Sequence, residues 1–222
     1  MADSGPSPRT PLSRERVLLA AVELADREGI EGLSMRRLAQ QLGVEAMTLY
    51  YHVANKEQLI EGMVALVMGE IDLPSADGSW KPALRRTAIS AHGVLERHGW
   101  ASARMMSGGL TPERLAYMES ILGCLRAGGF TPYQTHLAYH ALECHIVGFS
   151  LWLTGMNLPE DMQALAAEVL AQVPAEEFPA FVEHIGEHMR ESHDTDVGAF
   201  EFGLELLLDG FERMLDGRSG TA

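Results

Sequence analysis

Apolar residues recur at intervals of three and four along most of the chain, and after residue 81 no stretch alternates with the period of a β-strand. Spacing of three and four places apolar side chains on one face of an α-helix. Segments rich in proline, glycine and serine interrupt the pattern and mark boundaries between helices. We therefore predict an all-α protein with a small N-terminal group of helices, a linker at Leu73–Lys81 and a larger C-terminal helical bundle.

The segment Ser34–Val53 contains two short helical patterns separated by a glycine. Ser34 can cap the first helix, because its hydroxyl accepts a hydrogen bond from an otherwise unpaired backbone N–H. Gly43 stands where that helix must end, since glycine adopts the left-handed conformation of helix C-termini without steric cost. The apolar pattern then resumes at Val44. This spacing predicts a helix-turn-helix, whose second helix enters the major groove of DNA.

Two polar surfaces remain once the apolar face of this segment is assigned. Small side chains let a helix approach base edges, methyl groups can contact thymine methyls, and hydroxyls can donate to phosphates. An ordinary helical hairpin in an all-α core is the alternative that these residues leave open. The apolar face comprises Met35, Leu38, Ala39, Leu42, Val44, Leu49 and Val53; the first polar surface comprises Arg36, Arg37, Gln40 and Gln41, and the second Ala46, Met47, Thr48, Tyr50, Tyr51 and His52.

The N-terminal flank of this segment reads as an arm followed by a helix. Residues 1–12 contain three prolines and small polar residues, and we expect them to be disordered. Ser13 is placed to cap a helix over Arg14–Glu28, and Gly29 ends it.

The C-terminal flank of the segment begins a further helix. Asn55 is its expected N-cap, with Gln58 three residues later, which is close to the capping-box pattern. Lys56 lies in the first turn, where a positive charge and the free backbone N–H groups can together hold a phosphate.

The remaining pattern predicts several more helices. The helix from Tyr133 and the last helix are apolar around nearly their whole circumference, so each must be buried on nearly every side. The expected helical ranges are 80–98, 111–127, 132–156, 159–172, 174–191 and 199–215, with a short broken segment at 99–109 and a polar break at 194–197.

The sequence LGVEAMTLYYHVANKEQL resembles the DNA-binding module of the TetR (tetracycline repressor) family, and the resemblance runs from about Ser13 to Val67. After the disordered arm at 1–12, it implies a three-helix helix-turn-helix domain at 13–72 and a C-terminal ligand-binding and dimerisation domain at 80–216. The family pairs two apolar helices from each subunit in a four-helix dimer interface, and two recognition helices are needed to read a palindrome.

The resemblance also assigns roles to residues of the module. Thr48 and Tyr50 would contact base edges, and Ala46 and Met47 would add apolar contacts. The full expected DNA-binding set is Met35, Arg36, Ala46, Met47, Thr48, Tyr50, Tyr51, His52 and Lys56, of which Arg36, Tyr51, His52 and Lys56 would hold phosphates.

The charge distribution modifies this picture only slightly. The net charge is −14, which is unusual for a DNA-binding protein. Residues 1–60 carry seven Lys/Arg and eight Asp/Glu, whereas the rest carries ten and twenty-three, so the acidity lies outside the module. The long-range electrostatic attraction to DNA is weaker than in many DNA-binding proteins.

Composition also bounds the compartment. No apolar run approaches the length of about 20 residues that spans a bilayer, and the N-terminus lacks the apolar core of a secretory signal. Cys124 and Cys144 form no metal motif and indicate free thiols, which favours a bacterial cytoplasmic protein.

The effector site is the least determined feature. Family members hold a small molecule in the C-terminal bundle, and apolar pockets with a few polar groups suit such molecules. Core packing explains the same residue types equally well. The candidates are Trp100, Met105, Met106, Tyr117, His136, Tyr139, His140, Cys144 and Trp152.

We predict a homodimeric regulator, most simply a repressor, that a small hydrophobic molecule releases from a palindromic operator. A metal-responsive regulator with the same module is the alternative, because His136, His140 and Cys144 recur every four residues. An enzyme is a distant third, since there is no nucleophile elbow, phosphate loop or HExxH motif, and we predict no cofactor.

Overall fold

The structure is a computed structural model that describes residues 11–75, 79–107, 109–156, 161–190 and 195–217. Every regular element in these ranges is an α-helix, which confirms the predicted all-α class. The helices are α1 (Arg14–Gly32), α2 (Met35–Leu42), α3 (Ala46–Leu49), α4 (Lys56–Met68), α5 (Trp80–Arg97), α6 (Ala101–Ser107), α7 (Pro112–Ala127), α8 (Pro132–Met156), α9 (Met162–Gln172), α10 (Pro179–Arg190) and α11 (Thr195–Asp216).

Side-chain caps account for where several helices begin. The Ser13 hydroxyl accepts a hydrogen bond from the Arg16 backbone N–H at 3.2 Å, and the Thr111 hydroxyl accepts one from Arg114 N–H at 3.3 Å. Each cap satisfies one of the backbone donors that a helix leaves unpaired in its first turn. The predicted starts of α1 and α7 are therefore confirmed.

Several expected boundaries differ from the structure. Helix α1, expected to end at Gly29, is only kinked there, with φ 74° and ψ 161°, and continues to Gly32. The segment after Gly99, expected to be broken, forms the regular helix α6. The helix expected from residue 174 begins only at Pro179, whose fixed φ suits the first turn of a helix. The polar break expected at 194–197 is helical from Thr195, because polar residues are well tolerated in a first turn.

Residue contacts divide the chain into two units. The first comprises Met1–Ile71 and Val94–Met118, and the second comprises Asp72–Gly93 and Glu119–Ala222. The boundary therefore falls inside two helices. Residues 94–97 of α5 and 112–118 of α7 belong to the first unit, and the rest of each helix belongs to the second.

The first unit contains the predicted helix-turn-helix. Helix α1 packs against α2 and α4, and α4 also packs against α6. Its interior consists of fully buried aliphatic side chains, among them Val17, Leu33, Leu38, Leu49, Leu59 and Met63. A core of this kind supplies most of the stability of such short helices.

A polar cluster at the edge of this core joins α1 to the ends of α4 and α5. The ring Nδ1 of the buried His98 lies 2.9 Å from Asp26 Oδ1, and the Trp100 indole donates to the same oxygen at 2.7 Å. Arg97 donates to Glu70 at 2.8 Å. Burial tends to raise the pKa of Glu70, but the hydrogen bonds and charges of Arg97 and His98 outweigh it and lower that pKa.

The second unit is organised around the packing of α8 on α11. The Phe200 ring of α11 stacks on His92 at a centroid distance of 4.0 Å and on His145 at 4.7 Å. The His145 Nε2 also lies 2.9 Å from the Phe200 carbonyl oxygen. A side chain at Gly203 would collide with this arrangement, because a Cβ there would lie 2.5 Å from His145 Cε1.

Ion pairs join α5 to α11 within the same unit. Lys81 contacts Asp209 and Glu212 at 2.7 Å each, and Arg85 contacts Glu201 and Glu205 at 2.5 Å each. The two hydrogen bonds raise the pKa of Lys81 to about 12. No helix in the part of the chain that the structure describes is long and apolar enough to cross a membrane.

Gly203→Ala should destabilise the protein, because the added methyl group must push His145 away from α11. Overpacking of this kind costs about 1–3 kcal/mol. In Gly210→Ala, on the same helix, the new Cβ has its nearest neighbour at 4.0 Å, so better helix propensity should stabilise by about 0.5–1 kcal/mol. Chemical denaturation at one protein concentration compares the two. Equal stability of both variants would show that His145 does not pack against Gly203.

Lys81→Met should reduce the sensitivity of the fold to acid. The hydrogen bond from Lys81 lowers the pKa of Asp209. The resulting stabilisation is present above the unfolded pKa of about 3.9 and is lost as the pH falls through the lower folded value. The free energy of unfolding should therefore fall less on acidification in Lys81→Met than in the wild type. Arg86→Met, which removes an exposed charge of α5 outside these ion pairs, should retain the wild-type pH dependence of the free energy of unfolding. The same pH dependence in all three proteins would contradict the pairing of Lys81 with Asp209.

Candidate nucleic-acid interface

The turn between α2 and α3 has the geometry that the sequence predicts. The Ser34 hydroxyl accepts a hydrogen bond from Arg37 N–H at 3.3 Å. Gly43 adopts φ 66° and ψ 34°, and its N–H donates to Gln40 O at 3.2 Å while Val44 N–H donates to Ala39 O at 3.0 Å. These bonds occupy carbonyls that the helix end would otherwise leave unpaired. The turn thereby sets the direction in which α3 leaves α2.

Helix α3 is only four residues long and continues as a tighter turn. The backbone N–H groups of Tyr50, Tyr51 and His52 each donate three residues back, which is the pattern of a 3₁₀ turn. Leu49 is fully buried and Val53 nearly so. The apolar residues therefore anchor a short helix whose other side stays open.

The open side of α3 carries the predicted DNA-binding residues. Tyr51 is 87% exposed and Met47 is 70% exposed, so two large side chains with apolar surface lie in water within one short segment. Tyr50 is also exposed, and Ala46, Thr48 and His52 are partly exposed. The structure thus brings these six residues to one short segment.

The arginine surface of α2 divides into two parts. Arg37 pairs with Glu28 and donates to the Gly32 carbonyl, so it ties α2 to the end of α1. Arg36 is exposed and forms no hydrogen bond or ion pair with another described residue. Met35 is partly exposed beside it. Only Arg36 of the two arginines has a guanidinium that is uncommitted within this part of the chain.

Helix α1 also holds α2 through Gln41, which the sequence pattern assigned simply to the solvent side. The Gln41 amide donates to the Ala20 carbonyl at 3.3 Å and accepts from Arg27 at 2.9 Å. This contact was missed because a glutamine on a polar helix face carries no sequence signal for a long-range partner. Its consequence is that α1 fixes the orientation of the helix-turn-helix.

The N-terminus of α4 completes this surface. Asn55 Oδ1 accepts from Gln58 N–H at 2.8 Å, and Gln58 Oε1 accepts from Ala54 N–H at 3.3 Å, a reciprocal arrangement close to the capping box. Lys56 is the first residue of the helix and is partly exposed. A cation beside free backbone N–H groups at a helix N-terminus is suited to bind an anion such as a phosphate.

Two family descriptions match nearly the whole chain. Residues 17–63 match the description "bacterial regulatory proteins, tetR family", and residues 73–215 match "tetracyclin repressor-like, C-terminal domain". The chain belongs to the tetracycline repressor family. It is accordingly a DNA-binding transcriptional regulator of the ligand-responsive type, as the sequence predicted.

Relatives and solved structures agree with this membership. The chain is 34% identical to the HTH-type transcriptional repressor DrrR1 of Streptomyces coeruleorubidus, over 97% of this chain and 83% of that protein. It is 32% identical to the class D tetracycline repressor protein of Escherichia coli, over 92% and 91%. The structure of the TetR family protein ActR of Streptomyces coelicolor in complex with actinorhodin superposes with a TM-score of 0.74 at 26% identity, over 93% and 99% of the chains.

The expected effector-binding residues fall into two groups, one in each unit. In the first unit Trp100 is committed to Asp26, and Met105 and Tyr117 are buried. The side chain of Met106 lies outside the described residues. In the second unit the candidates follow α8, where His136, His140 and Cys144 are exposed, Tyr139 is partly exposed and Trp152 is 47% exposed.

The histidine stripe of α8 does not form a metal site in the described part of the chain. The rings of His136 and His140 lie 4.6 Å apart. No group of three or more His, Cys, Asp or Glu side chains that could hold a metal ion occurs among the residues described. Neither the structure nor the relatives support the metal-responsive alternative.

Proposed function

We propose that this regulator is a homodimeric repressor whose two α3 segments read a palindromic operator, and that a small hydrophobic molecule releases it. The observation that supports this most directly is the exposure of Met47, Tyr50 and Tyr51 around the buried anchor Leu49. A cluster of large apolar and aromatic side chains exposed together on one short segment is typical of an interaction site.

The proposed contacts follow from the chemistry of each side chain. Thr48 and Tyr50 contact base edges, while Ala46, Met47 and the partly exposed Met35 supply apolar contact. Phosphates are held by charged and hydroxyl groups, which position the protein without reading sequence. The proposed phosphate contacts are Arg36, Tyr51, His52 and Lys56.

Dimerisation supplies the second recognition segment. Reading a palindrome requires two such segments about 34–36 Å apart, and one chain has one. Phe202 and Leu206 of α11 are 68% and 55% exposed, and Leu137 and Leu151 of α8 are also exposed. This apolar face of α8 and α11 is the proposed four-helix interface, which would remove the side chains from water.

A small organic effector is supported by the relatives. Solved structures include ActR of Streptomyces coelicolor with actinorhodin and a glutamine-to-alanine variant of a TetR of Acinetobacter baumannii with minocycline. A ligand releases the operator only if it binds the conformer unable to hold DNA more tightly than the DNA-bound one. In the proposal this conformer has α4 tilted, which changes the separation of the two α3 segments.

DrrR1 and the class D tetracycline repressor protein are named as repressors, and we propose that this protein likewise regulates rather than catalyses. Its proposed target is an operator in double-stranded DNA, so the proposed location is the bacterial cytoplasm. Turnover of a substrate by the purified protein, together with no affinity for any duplex, would contradict this assignment.

Tyr50→Ala and Lys56→Ala should weaken operator binding in different ways. The operator is a duplex selected by the wild-type protein from a random library. Tyr50→Ala should lower the affinity for the selected duplex about tenfold or more, roughly 1.4 kcal/mol, and the affinity for a scrambled duplex much less.

Lys56→Ala should lower the affinity for both duplexes similarly and reduce the salt slope of binding by the equivalent of about one phosphate contact. Titration by fluorescence anisotropy at several salt concentrations measures both effects; a full salt slope in Lys56→Ala would remove that residue from the phosphate contacts.

Phe202→Asp should convert the dimer to a monomer, because it places a charge in the proposed interface. Leu115→Asp is the matched control, since Leu115 is 49% exposed on α7. Sedimentation velocity should show monomers for the first variant and dimers for the second and the wild type. A wild-type monomer, or a Phe202→Asp dimer of unchanged affinity, would contradict the interface.

A further inference from the structure

A cleft of about 370 Å³ lies wholly within the first unit, bordered by α4, α6 and the segment that leads into α7. Pockets for small molecules span about 300–1,000 Å³, so this cleft is large enough for one. Its described lining consists of Lys56, Glu57, Ile60, Glu61, Val64, Met68, Arg104, Met105, Gly109, Thr111 and Arg114.

One side of the cleft is apolar. Ile60, Val64 and Met68 project from successive turns of α4, and Met105 faces them from α6. Side chains three or four positions apart share one face of a helix, so the three α4 residues form a continuous strip. An alkyl or aromatic group bound there would leave water, at a gain of about 25 cal/mol per Å² of apolar surface buried.

The other part of the cleft is cationic. Lys56, Arg104 and Arg114 line it together with Glu57 and Glu61, which leaves one net positive charge. Lys56 and Arg104 form no hydrogen bond or ion pair with another residue in the described ranges. By contrast, Lys81, Arg85, Arg97 and Arg37 are each paired with a carboxylate. The cleft therefore combines an apolar strip with two cations that have no anionic partner among the described residues.

We infer that this cleft is a binding site for a small amphipathic monoanion, such as a carboxylate with an apolar body. The anionic group contacts Arg104 and Lys56, and the apolar body lies along Ile60, Val64 and Met68. A single negative charge balances the net charge of the lining, whereas Glu57 and Glu61 disfavour a dianion. The site is separate from any effector site formed by residues of the second unit.

The inference has a regulatory consequence that rests on the proposed function. Lys56 is also a proposed contact to an operator phosphate. A carboxylate held by Lys56 competes with that phosphate for the same ammonium group. Occupancy of the cleft should therefore weaken DNA binding directly, at the surface that meets the duplex.

Decanoate is a suitable probe, and decanol is its uncharged control. Both are used well below the concentrations at which they aggregate. Isothermal titration calorimetry on the full-length protein should show saturable binding of decanoate. Decanol, which lacks the carboxylate, should bind at least about tenfold more weakly than decanoate. A hydrogen bond to a charged group contributes free energy on that scale. Equal affinity for the two would overturn the inference.

Variants locate the site. Arg104→Gln and Val64→Glu should each weaken decanoate binding by about tenfold or more, the first by removing a cation and the second by placing a carboxylate in the apolar strip. Arg86→Gln is the matched control, because it removes an exposed arginine that does not line the cleft. Circular dichroism checks that each variant is folded. Wild-type affinity in both folded cleft variants would overturn the inference.

The operator assay separates this inference from the proposed function. Decanoate should weaken binding to the selected duplex, and Arg104→Gln should require about tenfold more decanoate for the same fractional loss. Decanoate bound as expected without any loss of DNA affinity would overturn the competition for Lys56. A protein that binds decanoate through Arg104 but binds no duplex would overturn the proposed function and leave the site in place.

Discussion

The proposed DNA-reading surface depends on the burial of one side chain, Leu49, in the core of the first unit. Helices shorter than about 12–15 residues are marginal in water, so the four residues of α3 cannot hold a helix by themselves. Leu49 and Leu38 are both fully buried, and the left-handed Gly43 sets the angle at which α3 leaves α2. The exposed Met47 and Tyr51 are tolerated because the opposite face of the same short helix is so well anchored.

The first unit shows how a DNA-binding module with little net charge can still present local positive charge to DNA. Several of its carboxylates are paired: Glu28 holds Arg37, Glu70 holds Arg97, and Asp26 accepts from Trp100 and lies against His98. Pairing places these negative charges next to cations or N–H donors. Lys56 and Arg36 remain uncommitted among the described residues, so local positive charge meets the proposed DNA surface although the unit as a whole is nearly neutral.

The two proposals assign helix α4 to two binding surfaces, the operator contact and the cleft. The N-terminus of α4 carries Lys56, and the face that follows carries the apolar strip beginning at Ile60. A family that responds to small molecules is usually understood through a distant ligand pocket and a conformational change. In the two proposals one cation, Lys56, is shared between the cleft and a phosphate contact, which would allow direct competition without any change of shape.

The sequence by itself determined the helical class, the helix-turn-helix at 34–53 and most helix boundaries, because caps, left-handed glycines and apolar spacing act within a few residues. It also predicted that Asn55 and Lys56 open α4. Only the tertiary structure decided the partners of residues distant in sequence: Gln41 with Ala20, Asp26 with His98, and Arg104 across from Val64. No local pattern encodes such pairs, since they depend on how whole helices pack and which side chains that packing brings together.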